Sequence, residues 1–151
     1  MMPTATLQEF QRRLKAAGYD ADIDELGAGP VRDGEQYAYV MDDGSIRFKP
    51  ENRELASRVC GIYGEVSEYM AAFLAAAPGA ARFPQGAEDT RTLIAYGGYE
   101  LAARRLSNDS MDFVTWRLDR NGERETGHYF DGYAEAKEDF ALRAGLIDRD
   151  K

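Results

Sequence analysis

The sequence predicts an α+β protein: an antiparallel β-meander with a helix packed on one face, preceded by an N-terminal helix, a hairpin and a long helix. Three observations carry this. Residues Asp112 to Phe130 form two runs of strand periodicity joined across Asn121-Gly122. The following segment, Tyr133 to Ala144, sets Tyr133, Ala136, Phe140 and Ala144 on one helical face and stops at Gly145. Between Glu51 and Ala76 the apolar residues Leu55, Val59, Ile62, Val66, Tyr69, Met70 and Phe73 recur at three- and four-residue steps.

Taken in order, the first element is a helix over Thr4 to Ala17, with Leu7, Phe10 and Leu14 on its apolar face, Thr4 or Thr6 as cap and Gly18 as stop. Tyr19 to Glu35 holds six acids against one arginine, is broken by three glycines and a proline, and reads as an acidic surface loop. Gln36–Met41 and Ile46–Lys49 read as a hairpin around Asp42-Asp43-Gly44-Ser45, with Tyr37, Tyr39 and Met41 alternating against Ala38 and Val40. The long helix runs from Glu51 to Ala76 between Pro50 and Pro78-Gly79, its stripe serving core packing rather than a coiled-coil seam. Thr92–Tyr96 and Tyr99–Leu106 are read as strands. For the latter, the good helix formers Ala102 to Arg105 are outweighed by Gly97-Gly98 and the turn Ser107 to Ser110. The organisation expected is an N-terminal half over 1–77, a linker-like segment over 78–90, and a meander with C-terminal helix over 91–151.

A two-residue type I′ turn at Asn121-Gly122 puts Val114 opposite Tyr129, Trp116 opposite Gly127 and Leu118 opposite Glu125. Phe113 then meets Phe130, Thr115 meets His128 and Arg117 meets Thr126. On that register Val114, Trp116, Leu118 and Tyr129 make the buried face, under the helix capped by Asp131 or Gly132, with Leu146 folding back toward Phe140. Thr115, Arg117, Thr126 and His128 make the opposite face, the candidate interaction surface.

With 44% apolar and 11% aromatic residues in 151, the chain is globular. A formal charge of −8 argues against direct nucleic-acid binding, which draws its affinity from a clustered basic surface. One cysteine excludes an intrachain disulfide, and no run approaches the roughly 18 apolar residues that span a bilayer, so a cytoplasmic protein without membrane contact is expected. His128 is the single histidine and the one candidate general base, although a sheet histidine is more often structural. Cys60, beside Val59, reads as a buried thiol. Asp20-Ala21-Asp22-Ile23-Asp24 opens like a calcium loop, but Glu25 and Val31 stand where glycine and the bidentate glutamate belong. Gly27-Ala28-Gly29 lacks a third glycine and a following helix, and Arg104-Arg105 reads as a solvated pair. No cofactor or metal is implied.

The residues Asp112-Phe-Val-Thr-Trp116, Gly127-His-Tyr-Phe130, Ala136-Lys-Glu-Asp-Phe-Ala141 and Arg143-Ala-Gly-Leu-Ile147 resemble a family of small proteins and accessory domains. These are encoded on conjugative or other mobile elements of gut Firmicutes. The resemblance covers Tyr99 to Ile147 and brings no catalytic residues. It implies a non-enzymatic accessory or protein-interaction protein whose partner is another protein. The alternatives are an acidic DNA mimic of the antirestriction type and a small enzyme using His128.

Overall fold

A computed structural model of the chain describes residues 2–76, 87–106 and 108–148. The chain divides into two compact units, Met1–Met70 and Ala71–Lys151, with the end of the long helix belonging to the second. Most of the segment 78–90 lies outside the described residues, and regular structure resumes at Ala87.

The first unit opens with α1 (Thr4–Ala16), which buries Leu7, Phe10 and Leu14. Its N-cap is Pro3, without a side-chain cap; Thr4 and Thr6 already lie inside the helix, so neither serves as the cap. At the other end the N–H groups of Gly18 and Tyr19 donate to the carbonyls of Lys15 and Leu14, at 2.9 and 3.1 Å. This paired closure needs a left-handed residue, and Gly18 supplies φ +92°.

The acidic stretch read as a loop instead contributes two strands, β1 (Asp20–Ala21) and β2 (Gly29–Asp33). The physical reason lies in its period. Asp20, Asp22 and Asp24 are exposed while Ala21 and Ile23 between them are buried, the alternation of a half-buried strand. With β3 (Gln36–Val40) and β4 (Ile46–Arg47) they form an antiparallel sheet in order β1-β2-β3-β4, so the expected hairpin is half of a larger meander. Ala21, Val31, Ala38 and Val40 line its inner face. Gly29 is required by close approach, because a Cβ there would stand 1.9 Å from the carbonyl oxygen of Asp22.

After a 3-10 turn at Pro50–Asn52 comes α2 (Arg53–Ala75). Leu55, Val59, Val66 and Tyr69 are fully buried, as the stripe requires, and Ile62 is half-buried. Cys60 is exposed, against the buried thiol expected, because it sits one residue off that stripe and so about 100° around the helix. Helix α2 joins α1 through a buried polar cluster. The Tyr69 hydroxyl donates to Glu9, Arg12 grips the same carboxylate at 2.6 and 2.7 Å, and Arg13 reaches Tyr69 at 3.2 Å and Glu65 at 2.9 Å. Burial and the adjacent Glu9 charge push the Tyr69 phenol well above its usual range.

The second unit is a meander of β5 (Ala87–Tyr96), β6 (Tyr99–Leu106), β7 (Met111–Leu118) and β8 (Arg124–Phe130), followed by α3 (Tyr133–Arg143). Helix α3 starts at Gly132 and ends in the same paired closure as α1, with Gly145 at φ +76° and Leu146 N–H on the carbonyl of Ala141 at 2.8 Å. Leu146 itself is exposed rather than folded onto Phe140.

The β7–β8 turn is three residues long, not two. Asp119 and Glu123 close it at 2.9 Å, and the Asp119 carboxylate accepts the N–H groups of Asn121 and Glu123. Leu118 therefore pairs with Arg124 and Arg117 with Glu125, one residue away from the expected register. A bulge then shifts the register back, with Thr126 at φ +51°, and Phe113–Phe130, Val114–Tyr129 and Thr115–His128 pair as expected.

The larger correction concerns the faces. Helix α3 lies on the Phe113 and Thr115 side: Tyr133 packs on Phe113 with ring centres 5.4 Å apart, and Asp139 accepts from Thr115 at 2.5 Å. Cross-strand pairing places Leu101 and Ala103 beside these residues. Trp116, 4% exposed, is instead covered by an arginine. The Arg124 guanidinium stands 4.5 Å over the indole and is held by Glu100 at 2.6 Å, while Arg104 lies 5.0 Å over the ring of Tyr129. Trp116 does cover the bare backbone at Gly127, where a Cβ would fall 2.8 Å from its ring nitrogen. Arg104 is not solvated; it makes a two-point pair with Asp112 at 2.6 and 2.8 Å.

Candidate functional site

The four residues singled out on the second hairpin do not form one open surface. Thr115 is fully buried under α3, donating to Asp139 while Arg143 reaches its carbonyl at 3.1 Å and its hydroxyl at 3.2 Å. Arg117 is paired with Glu125 at 2.7 Å, and Thr126 is the exposed bulge residue. His128 is exposed, with Nδ1 3.0 Å from the same Asp139 oxygen that Thr115 uses. Asp139 thus gathers Thr115 and His128, and the cluster locks α3 to β7 and β8. A proton on Nδ1 would leave Nε2 as an acceptor, the arrangement of an oriented general base. The two grooves described below, however, contain neither His128 nor Asp139.

A different surface, the outer face of the first sheet, carries a group of exposed aromatic side chains. Strand β3 reads Gln-Tyr-Ala-Tyr-Val, so that when Ala38 and Val40 turn inward, Tyr37 and Tyr39 must point out, about 7 Å apart. Both are about two-fifths exposed, at 42% and 39%, and Phe48 beyond β4 is 45% exposed. Pairing sets Arg32 beside Tyr37, and Pro30 and Arg47 on either side of Tyr39. Tyr37, Tyr39, Met41, Arg47, Phe48 and Lys49 line an open groove of about 440 Å³. A second, more polar groove of about 390 Å³ lies against Pro30 and Arg32, with Lys15, Asp20 and Asp22 on its walls.

The electrostatics of the face differ from those of the chain. Among the described residues, most other arginines are held by acids, as in Arg12–Glu9, Arg13–Glu65, Arg91–Asp89 and Arg124–Glu100. Arg32, Arg47 and Lys49 are exposed and have no ion-pair partner among those residues. Asp43, at the β3–β4 turn, is held below its usual range chiefly by hydrogen bonds from Ser45, with a smaller contribution from Arg47. The sequence carried the signal for this face. Tyrosines at alternate positions of a strand, with apolar residues between them, place aromatic rings on the side away from the core.

Among the described residues, no group of three or more His, Cys, Asp or Glu side chains is placed to hold a metal ion, and no helix is long and apolar enough to cross a membrane. No protein-family model matches the chain, and no curated protein or solved structure matches it either. The chemistry of the two surfaces is therefore the basis for a functional reading.

Proposed function

We propose that this chain is a non-enzymatic accessory protein that works by binding another protein through the outer face of its first sheet. The observation that supports this is the exposed row of Tyr37, Tyr39 and Phe48 flanked by unpaired cations. Exposed aromatics grouped with arginine are the side chains that supply most of the energy of protein interfaces. The resemblance of the C-terminal third to accessory proteins of mobile elements fits the same role. Mimicry of DNA is less well supported, because Glu9, Glu65, Asp89, Glu100, Asp112 and Glu125 are each engaged by an arginine rather than set out as a row of free charges. An enzyme acting through His128 has an oriented imidazole in its favour, but neither of the two grooves described above includes that residue.

The test is capture from an extract of the source cells on the tagged full chain, read by quantitative mass spectrometry, beside the double variant Tyr39→Ser/Phe48→Ser. Both positions are exposed, so the variant keeps the wild-type circular dichroism spectrum. The expected outcome is a set of proteins retained by the wild type and lost from the variant. Retention of the same proteins by both would overturn the assignment of this face.

A further inference from the structure

Resting on the assignment of that face, we propose that its ligand is an extended peptide segment carrying an acidic side chain two positions from an apolar or aromatic one. Three features of the groove lead to this chemistry. Much of its lining is apolar: Tyr37, Tyr39, Met41 and Phe48 offer ring faces and a thioether to a side chain of leucine or phenylalanine size. Its rim is cationic, with Arg47 and Lys49 on one flank and Arg32 across the tyrosine row; none is within ion-pair distance of an acid among the described residues, while Asp20 is the cross-strand neighbour of Arg32 and Asp43 feels the charge of Arg47. An exposed guanidinium with no carboxylate hydrogen-bonded to it can take one by two parallel hydrogen bonds.

The third feature is the limit of the positive region. Asp20 and Asp22 border it at β1, and Asp42 and Asp43 border it at the β3–β4 turn. A polyanion laid along the tyrosine row would meet Asp42 and Asp43 at the β3–β4 turn and run alongside Asp20 and Asp22 on the β1 side. A peptide needs its negative charge at one or two positions and carries none elsewhere. The surrounding acids therefore favour a peptide over a nucleic-acid strand, even though rings and cations together are also what a strand of bases would use. Alternate residues of an extended peptide are about 7 Å apart, the spacing of Tyr37 and Tyr39, so two neighbouring side chains on one side of the peptide meet successive positions of the groove.

The experiment is selection of a phage-displayed library of random dodecapeptides on the immobilised full chain, at a salt concentration of about 0.15 M where long-range repulsion is screened. The expected result is enrichment of peptides with Asp or Glu two positions from Leu, Phe, Tyr or Trp, on the same side of an extended chain. A synthetic copy of the most enriched peptide binds the Arg47→Glu/Lys49→Glu variant at least about tenfold more weakly than the wild type. The charge-reversed variant keeps the wild-type circular dichroism spectrum and melting transition, so the loss reads the charge of the rim and not misfolding. The proposal is overturned by an absence of enrichment over bare support, by enriched peptides without an excess of acids, or by octathymidylate binding more tightly than any enriched peptide. The two readings fail differently. If the cellular partner is lost from Tyr39→Ser/Phe48→Ser but kept by Arg47→Glu/Lys49→Glu, the face binds a protein but the acidic ligand is wrong. If both variants keep it, the face itself is wrong.

Discussion

At the scale of single residues, two side chains sit where local preference and surroundings disagree, and each predicts a measurement. Thr126 is β-branched yet held at φ +51°, a region that costs an L-residue about 1–2 kcal/mol. It is exposed, so Thr126→Gly relieves that strain without loss of packing and raises stability by about 1 kcal/mol in thermal unfolding. Tyr69 is the converse case, a buried phenol whose proton is held by Glu9. Its folded pKa is raised above the unfolded value of 10.0, so its contribution is fully present below pH 10 and is lost as pH rises through the higher folded value. Stability of the wild type therefore falls more steeply above pH 10 than that of Tyr69→Phe, in urea unfolding at a series of alkaline pH values. At neutral pH the same substitution costs about 1–3 kcal/mol, because Glu9 loses a buried donor.

At the scale of elements, one loop design recurs. Asp24–Ala28, Met41–Ser45, Leu106–Ser110 and Asp119–Glu123 are each closed by a bond from the first N–H to the last carbonyl, with the fourth residue left-handed. That residue is Gly27, Gly44, Asp109 and Gly122 in turn, and in the three glycine loops the pattern is that of a type I turn followed by a bulge. In the first and last loops an aspartate at the first position also accepts two backbone N–H groups. The motif was legible as Asp-x-x-Gly at both places, and the Asn-Gly pair alone pointed to the wrong turn. Asp119→Ala is expected to cost about 1 kcal/mol by removing both acceptor contacts, as seen in chemical denaturation. Gly29→Ala sets a methyl against the fixed Asp22 carbonyl and costs about 3 kcal/mol, enough to lower the melting temperature visibly. Thr115→Val takes a donor from Asp139 and an acceptor from Arg143, which loosens α3 first and shows as faster hydrogen exchange over 133–143.

At the scale of the whole molecule, a charge of −8 coexists with a local cationic rim, so the chain as a whole leaves a 30-base-pair duplex unshifted in a gel at about 0.15 M salt while still selecting acidic peptides. The sequence by itself determined the class of the fold, both glycine-closed helices, the buried stripe of α2 and the strand identity of Tyr99–Leu106. These rest on local periodicity and backbone geometry, which neighbouring residues encode. It also contained the outward tyrosines of β3, through simple alternation. Only the tertiary structure decided which face of the second sheet receives α3, since both faces of β7 carry large side chains and the choice depends on what arrives from elsewhere in the chain. Arg124, held by Glu100 from another strand, lies over Trp116 and helps bury it where a helix was expected, and Asp139 draws Thr115 and His128 into the helix contact. The free rim of Arg32, Arg47 and Lys49 was likewise invisible beforehand: whether a cation is paired depends on which acids the fold brings within about 4 Å.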